Sequence, residues 1–207
     1  MIELMMTIAI LAIIAVPLTG VVIEYLKTSV TTQTRSTENA DQQFAATYWQ
    51  ADIASLGVRG YTPNNAADQL PHQQSMWTGA APAGVPSGCS TASGTVVVGM
   101  TWNEYPTSTD PFVTWTGAQQ SAVVYTATQQ STGQWILTRT RCVPGQSTSS
   151  VVIARSLTVL PTVACSPTAC DSSTPPTTAT LTLQVQDLQG TSNTGYTSVL
   201  TGERRSG

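Results

Sequence analysis

Met1-Ile-Glu-Leu-Met-Met-Thr-Ile-Ala-Ile-Leu-Ala-Ile-Ile-Ala-Val-Pro-Leu-Thr-Gly-Val-Val-Ile23 is the stretch on which the reading of this chain turns. From Leu4 to Ile23 it carries no charge, and Thr7 and Thr19 are its only strongly polar side chains. Those twenty residues, at about 1.5 Å each in a helix, cover roughly 30 Å, the thickness of a bilayer's hydrocarbon core. Glu3 stands at the front edge of the run, where a carboxylate in an apolar setting requires a partner. Pro17 lies inside the run and Gly20 follows three residues later. A proline removes one backbone hydrogen bond and crowds the preceding turn, so a kink or local unwinding is expected over 13–20. A secretory signal would start with a basic residue, have a shorter apolar core and end in a small-residue cleavage site; this stretch does not fit that pattern.

Beyond Ile23 the helical spacing continues through Leu26 and Val30. Residues 31–43 are polar on every face, which suits a helix supported from outside or bridging through solvent. Phe44, Tyr48, Ala51 and Ser55 then share a face, with Ala45, Ile53, Ala54 and Leu56 close by, a stripe able to lie on a sheet. Gly57 and Gly60 bracket the end, and the helix is predicted over 2–56. A long connection follows over 57–94, broken by Pro63, Pro71, Pro82 and Pro86. Trp77 within it either packs the loop onto a sheet or stands exposed for binding.

From Thr95 the period changes to two. Strands are predicted at 95–102, 112–115, 122–127, 134–141, 151–159, 180–186 and 196–201, with a Pro/Ser/Thr-rich loop over 161–178. The pair 122–127 and 134–141 is joined through a loop containing Gly133, as a hairpin. The expected class is α+β: a long kinked N-terminal helix (about 2–56) packed on an antiparallel β-sheet head. Residues 1–27 form the apolar half of the helix. Residues 28–207 form the head, with helix end 28–56, loop 57–94 and sheet 95–207.

A chain of 207 residues allows one domain plus an anchor. Only 9% of residues are charged and the net charge is −3, which argues against a nucleic-acid partner, since that would need a basic patch. The four cysteines, Cys89, Cys142, Cys165 and Cys170, suggest two disulfides formed in an oxidising compartment. Three pairings are possible. Cys165–Cys170 as a short loop and Cys89–Cys142 as a staple across the β region are favoured over the others and over four reduced thiols. Zinc is disfavoured, because there is no Cys-x-x-Cys pair and the only histidine, His72, is distant in sequence. No nucleophile elbow or phosphate loop occurs, and a Ser/His/Asp triad would depend on His72 in a proline-rich loop, so no enzyme, cofactor or metal site is expected. Arg139 and Arg141 share a strand face, either solvated or meeting an acidic partner, and Asp52 ends the helix stripe as a solvated acid or as part of a motif.

The segment Ile2-Glu3-Leu4-Met5, followed by 7–15 and then Pro17, resembles the N-terminal segment of type IV pilins and pseudopilins. Tyr48-Trp-Gln-Ala-Asp-Ile-Ala-Ser-Leu-Gly57 is similar to the helix end of the minor pilin branch related to pseudopilin J. So are Val123-Val-Tyr-Thr-Ala127, Trp135-Ile-Leu-Thr-Arg-Thr-Arg141 and the closing Leu200-Thr-Gly-Glu-Arg-Arg205. The resemblance implies that Glu3 neutralises the N-terminal amine of a neighbouring subunit. It further implies that Met1, Leu4, Ile8, Leu11 and Ile14 take part in subunit packing, and that Pro17 and Gly20 allow local unwinding. The family carries a short basic leader ending in glycine, cut by a prepilin peptidase, and its glutamate lies about two residues deeper in the mature chain. Here that leader, its glycine and those two residues are absent, so the start is expected upstream, with Met1 internal.

Two functional readings result. The first is a minor pilin or pseudopilin of a type IV pilus or type II secretion-like filament. Its partners are other pilin subunits, the inner or cytoplasmic membrane and a prepilin peptidase. The subunit is single-pass before assembly, with its head extracellular or periplasmic, and later part of a surface filament. The alternative is a membrane-anchored extracellular binding module that does not polymerise. Glu3, the proline in the apolar run and the uninterrupted helix beyond it separate the two, since a plain anchor needs none of them.

Overall fold

A computed structural model of the chain describes residues 2–56, 75–82, 84–104, 119–172, 174, 176–186 and 195–204, apart from some side chains of helix and strand residues. Helix α1 covers Ile2–Ser55. The chain divides into two compact units, Met1–Ala40 and Asp41–Gly207. The first is the N-terminal part of α1. The second, the head, holds the end of α1 and every strand among the described residues.

The strands of the head are β1 (Met76–Trp77), β2 (Thr95–Glu104), β3 (Gln119–Gln129), β4 (Trp135–Cys142), β5 (Ser149–Leu157), β6 (Thr162–Ser166), β7 (Thr178–Val185) and β8 (Tyr196–Glu203), with a single turn α2 at Ser87–Ser90. All pair antiparallel, in the order β1-β2-β3-β4-β5-β7-β6, and β8 pairs with β7. The class is α+β with an antiparallel sheet that curls until β6 approaches β2.

The curl has a local cause at the end of β5. The register against β4 shifts twice, between Trp135 and Leu137 and between Leu137 and Thr138. Ser156 there takes a positive φ of 56°, a conformation costly for a non-glycine residue and suited to a sharp bend. Past the bend the chain leaves β4 for β7. Thr158 N–H donates to Gln184 O at 2.9 Å, and Gln186 N–H donates to Ser156 O at 2.9 Å. After Pro161, β6 continues along the same edge of β7, with Thr162 opposite Thr182 and Ser166 opposite Thr178. So β5 and β6 act as one bent strand that passes from one half of the sheet to the other.

Alternation on each strand then gives two apolar faces. Val123, Tyr125 and Ala127 of β3 join Leu181, Leu183 and Val185 of β7, and Ala45, Trp49, Ile53 and Leu56 of the helix, in the main core. Ala122 and Val124, of opposite parity, pack with Trp77, Val85, Cys89 and Cys142 in a smaller cluster on the other face. A side chain at Gly202 would bring a Cβ within 2.8 Å of Ile53, so this glycine lets the helix come close to β8.

Several expectations are corrected here. The loop expected over 161–178 contains β6; its five residues lie between Pro161 and Pro167, too short to show a period. The connection expected over 57–94 carries β1 and α2. Trp77 is buried, 1% exposed, and packs the connection onto the sheet. The strand expected at 112–115, His72 and the stretch 57–74 lie outside the described residues.

Candidate functional site: the two parts of the helix

The last part of α1 is fastened to the head by a buried charge cluster. Helical spacing puts Ala45, Trp49, Asp52, Ile53 and Leu56 toward the sheet, all buried. Tyr125 and Arg139 are direct cross-strand neighbours on β3 and β4, so their side chains point to the same face. Both reach Asp52. Tyr125 Oη donates to Asp52 Oδ2 at 2.6 Å. Arg139 Nε donates to Oδ2 and Arg139 Nη2 to Oδ1, each at 2.7 Å, a two-pronged charge-assisted pair. Asp52 is therefore buried and paired, 3% exposed, and the reading of a solvated acid is corrected. Arg139 meets an acid of its own chain rather than solvent.

Aromatic rings seal this cluster. The Tyr48 ring sits 4.7 Å from the Arg139 guanidinium carbon, and Trp49 meets Tyr125 edge-on with centroids 5.5 Å apart. Trp49 Nε1 donates to Ala179 O of β7 at 3.1 Å. Burial, and after it the charge and hydrogen bond of Asp52, hold the Tyr125 phenol well above its ordinary range. For Arg139 burial alone would lower the pKa, but the hydrogen bond and charge of Asp52 outweigh it and the net shift is upward. The Asp52 carboxylate thus accepts three internal hydrogen bonds, and its role is to hold helix to sheet. Near the start of the docked part, Arg155 Nη1 donates to Asp41 Oδ1 at 2.8 Å and Gln42 Nε2 donates to the Tyr196 hydroxyl at 2.8 Å. These two bonds are solvent-exposed.

The first part of α1 is the reverse. Every described side chain from Glu3 to Val30 is exposed. Met5 is 77% exposed and Leu11 67%. Gly20 has open space where a Cβ would stand. Thr19 Oγ1 donates to Ala15 O one turn back, satisfying its hydroxyl within the helix. Of the assembly residues expected from the sequence, Glu3, Leu11 and Gly20 are each exposed, spaced along this segment rather than brought together. The side chains of Leu4, Ile8, Ile14 and Pro17 and the whole of Met1 lie outside the described residues. Among the described residues no helix is long and apolar enough to cross a membrane; that description omits those side chains and also Ala9, Ile10, Ala12, Ile13 and Val16 of the apolar run.

Both favoured disulfides are present, Cys89–Cys142 and Cys165–Cys170. Sequence reasoning did not find the Asp52–Arg139–Tyr125 cluster as a unit. The signal available was an acid on the apolar stripe of a helix, together with an arginine two residues from Leu137 on the same strand face. No family model, no curated protein and no solved structure matches this chain.

Proposed function

We infer that the chain is a structural subunit, a minor pilin or pseudopilin, that enters a type IV pilus or type II secretion-like filament through its N-terminal helix. The observation that carries this reading is the uncovered apolar part of α1. Its described residues between Glu3 and Val30 are all exposed within the chain, Met5, Leu11, Leu18 and Val21 among them. Burial of apolar surface contributes about 25 cal/mol per Å². A helix with that much apolar surface is stable only when lipid or other helices cover it, and a bundle of identical helices does so repeatedly.

The steps are physical. Before assembly residues 4–23 lie in the membrane, with the head outside. On entry to the filament, Glu3 pairs with the N-terminal amine of the neighbouring subunit. An unpaired charge in a dry helical core costs several kcal/mol, so pairing selects one register of insertion. Pro17 and Gly20 permit a kink, and the missing side chain at Gly20 lets another backbone approach. A long kinked helix then connects the filament core to the head, where Asp52 transmits position to the sheet. A prepilin peptidase cuts before the apolar run and the new amine is methylated. The size of the head, beyond a minimal filament subunit, suits a minor, tip or initiating role.

The experiment is replacement of Glu3 by Ala in cells that assemble the filament. Sheared filaments should lack the Glu3→Ala subunit, while its head stays folded in the membrane fraction. Incorporation at the normal level would overturn the mechanism and leave a membrane-anchored binding module as the better reading.

A further inference from the structure

Three strands of the head, β1, β6 and β8, have one side without a strand partner among the described residues. An open edge offers unpaired N–H and C=O groups to another strand, and native sheets keep such edges short or interrupted. Two of the three follow that rule. β1 has two residues, and β6 has five between Pro161 and Pro167. β8 departs from it. Its eight residues, Tyr196–Glu203, are held to β7 in one unbroken register with no bulge. The strand contains no lysine and no proline, and no charge from Tyr196 to Gly202. Thr197, Val199 and Thr201 share its outer face and are exposed, Val199 by 58%. All three are β-branched, a shape that packs well against a like residue on a neighbouring strand.

We propose that the open edge of β8 pairs with the same edge of a second copy of this chain, antiparallel and centred on Val199. A second copy supplies what the edge asks for: an equally long strand with no charge to cover, and exposed β-branched residues at matching positions. Charge selects the direction. In a parallel pair Glu203 would stand beside Glu203, and like charges directly opposite are destabilising. In the antiparallel pair Val199 stands opposite Val199, and Thr197 of each copy opposite Thr201 of the other. Glu203 of each copy comes opposite Gly195, which has no side chain. Gln42 bonds to Tyr196 at one end of β8 and Ile53 lies on Gly202 near the other, so residues 42–53 run parallel to β8. The docked helices of the two copies are then antiparallel, and the heads meet from opposite directions. The pair therefore joins heads that face each other, and it stands apart from the filament reading, which concerns the exposed part of α1.

The test uses the full chain in detergent, with two readouts. In hydrogen exchange read by mass spectrometry, β8 peptides should exchange at least about tenfold more slowly in concentrated than in dilute chain. Val199→Lys sets two ammonium groups opposite each other in the pair, so it should abolish that difference. Its β7 peptides should stay protected at both concentrations, which marks the sheet as intact. In cross-linking with a short bis-maleimide, Val199→Cys should give a covalent dimer joined at position 199. Thr162→Cys on β6 should not, because in the pair it lies five strand spacings, about 24 Å, from its copy. β8 protection that does not depend on concentration, or that persists in Val199→Lys, would overturn the proposal. So would equal cross-linking at 162 and 199, the result expected if the exposed helices alone bring copies together, or no cross-linking at 199. None of these failures bears on the Glu3→Ala test of filament entry.

Discussion

Helix α1 contains two regions of the same secondary structure with opposite relations to their surroundings. Residues 45–56 turn Trp49, Asp52 and Ile53 into the head, where each finds a partner: a carbonyl, a guanidinium with a phenol, and a glycine backbone. Residues 3–30 present their described side chains outward, apolar ones included. The difference shows what a helix needs for its stability. Isolated helices are marginal in water, and tertiary cover supplies most of their support. The docked region has that cover inside its own chain, and the described side chains of the exposed region have none there. Substitutions should therefore separate cleanly: those in the docked region change head stability, and those in the exposed region leave it unchanged.

The largest effect is expected at Asp52. Asp52→Ala leaves Arg139, whose side chain is 11% exposed, without its counter-charge, and should cost about 3–5 kcal/mol in urea unfolding of the head. A loss under about 1 kcal/mol would mean that the cluster is more hydrated than its geometry indicates. Trp49→Ala should be comparable, about 3–5 kcal/mol, since it removes a fully buried ring and the bond to Ala179.

A smaller effect, of order 1–2 kcal/mol, is expected for Tyr125→Phe, which deletes one donor to a charged acceptor. This variant also sharpens the pH dependence. The folded head holds the phenol proton more tightly than the unfolded chain does, because the pKa is raised on folding. The stability from this group is complete below the ordinary value of 10.0 and declines as pH rises above it. Thermal unfolding of the wild type should thus weaken from about pH 10 upward, and Tyr125→Phe should flatten that alkaline decline.

The smallest effects belong to the exposed positions. Asp41→Ala breaks a pair in which Arg155 is 50% exposed, and should cost no more than about 1 kcal/mol. Leu11→Ala should leave urea unfolding of the head unchanged and reduce association with neighbouring subunits. Gly20→Ala should raise the helicity of the exposed segment by up to about 1 kcal/mol, because a Cβ there meets nothing within 4 Å in its own chain. If it also lowers assembly, the open space at Gly20 is occupied by a neighbour.

Much of the head was legible from periodicity. Clean alternation in Leu181, Leu183 and Val185 marks a strand with one buried face, and β7 has that pattern. The even cysteine count led to the two disulfides that form. What remained hidden depended on distant pairing. Asp52 looks like a solvated helix-end acid until Arg139, 87 residues away, is brought beside it. Strand β6 has five residues and exists because the bend at Ser156 delivers it to β7. Trp77 is buried because Gly99 on the neighbouring strand leaves room for its ring. None of these can be read from a local window.

The most direct test of the assembly reading asks what covers the exposed part of the helix. A photo-crosslinking amino acid in place of Leu11 is introduced in the native cells, and its adducts are read by mass spectrometry after illumination of assembled filaments. The expected result is a cross-link between position 11 and the N-terminal helix of another filament subunit. Adducts to lipid alone, under conditions in which filaments are present, would contradict it.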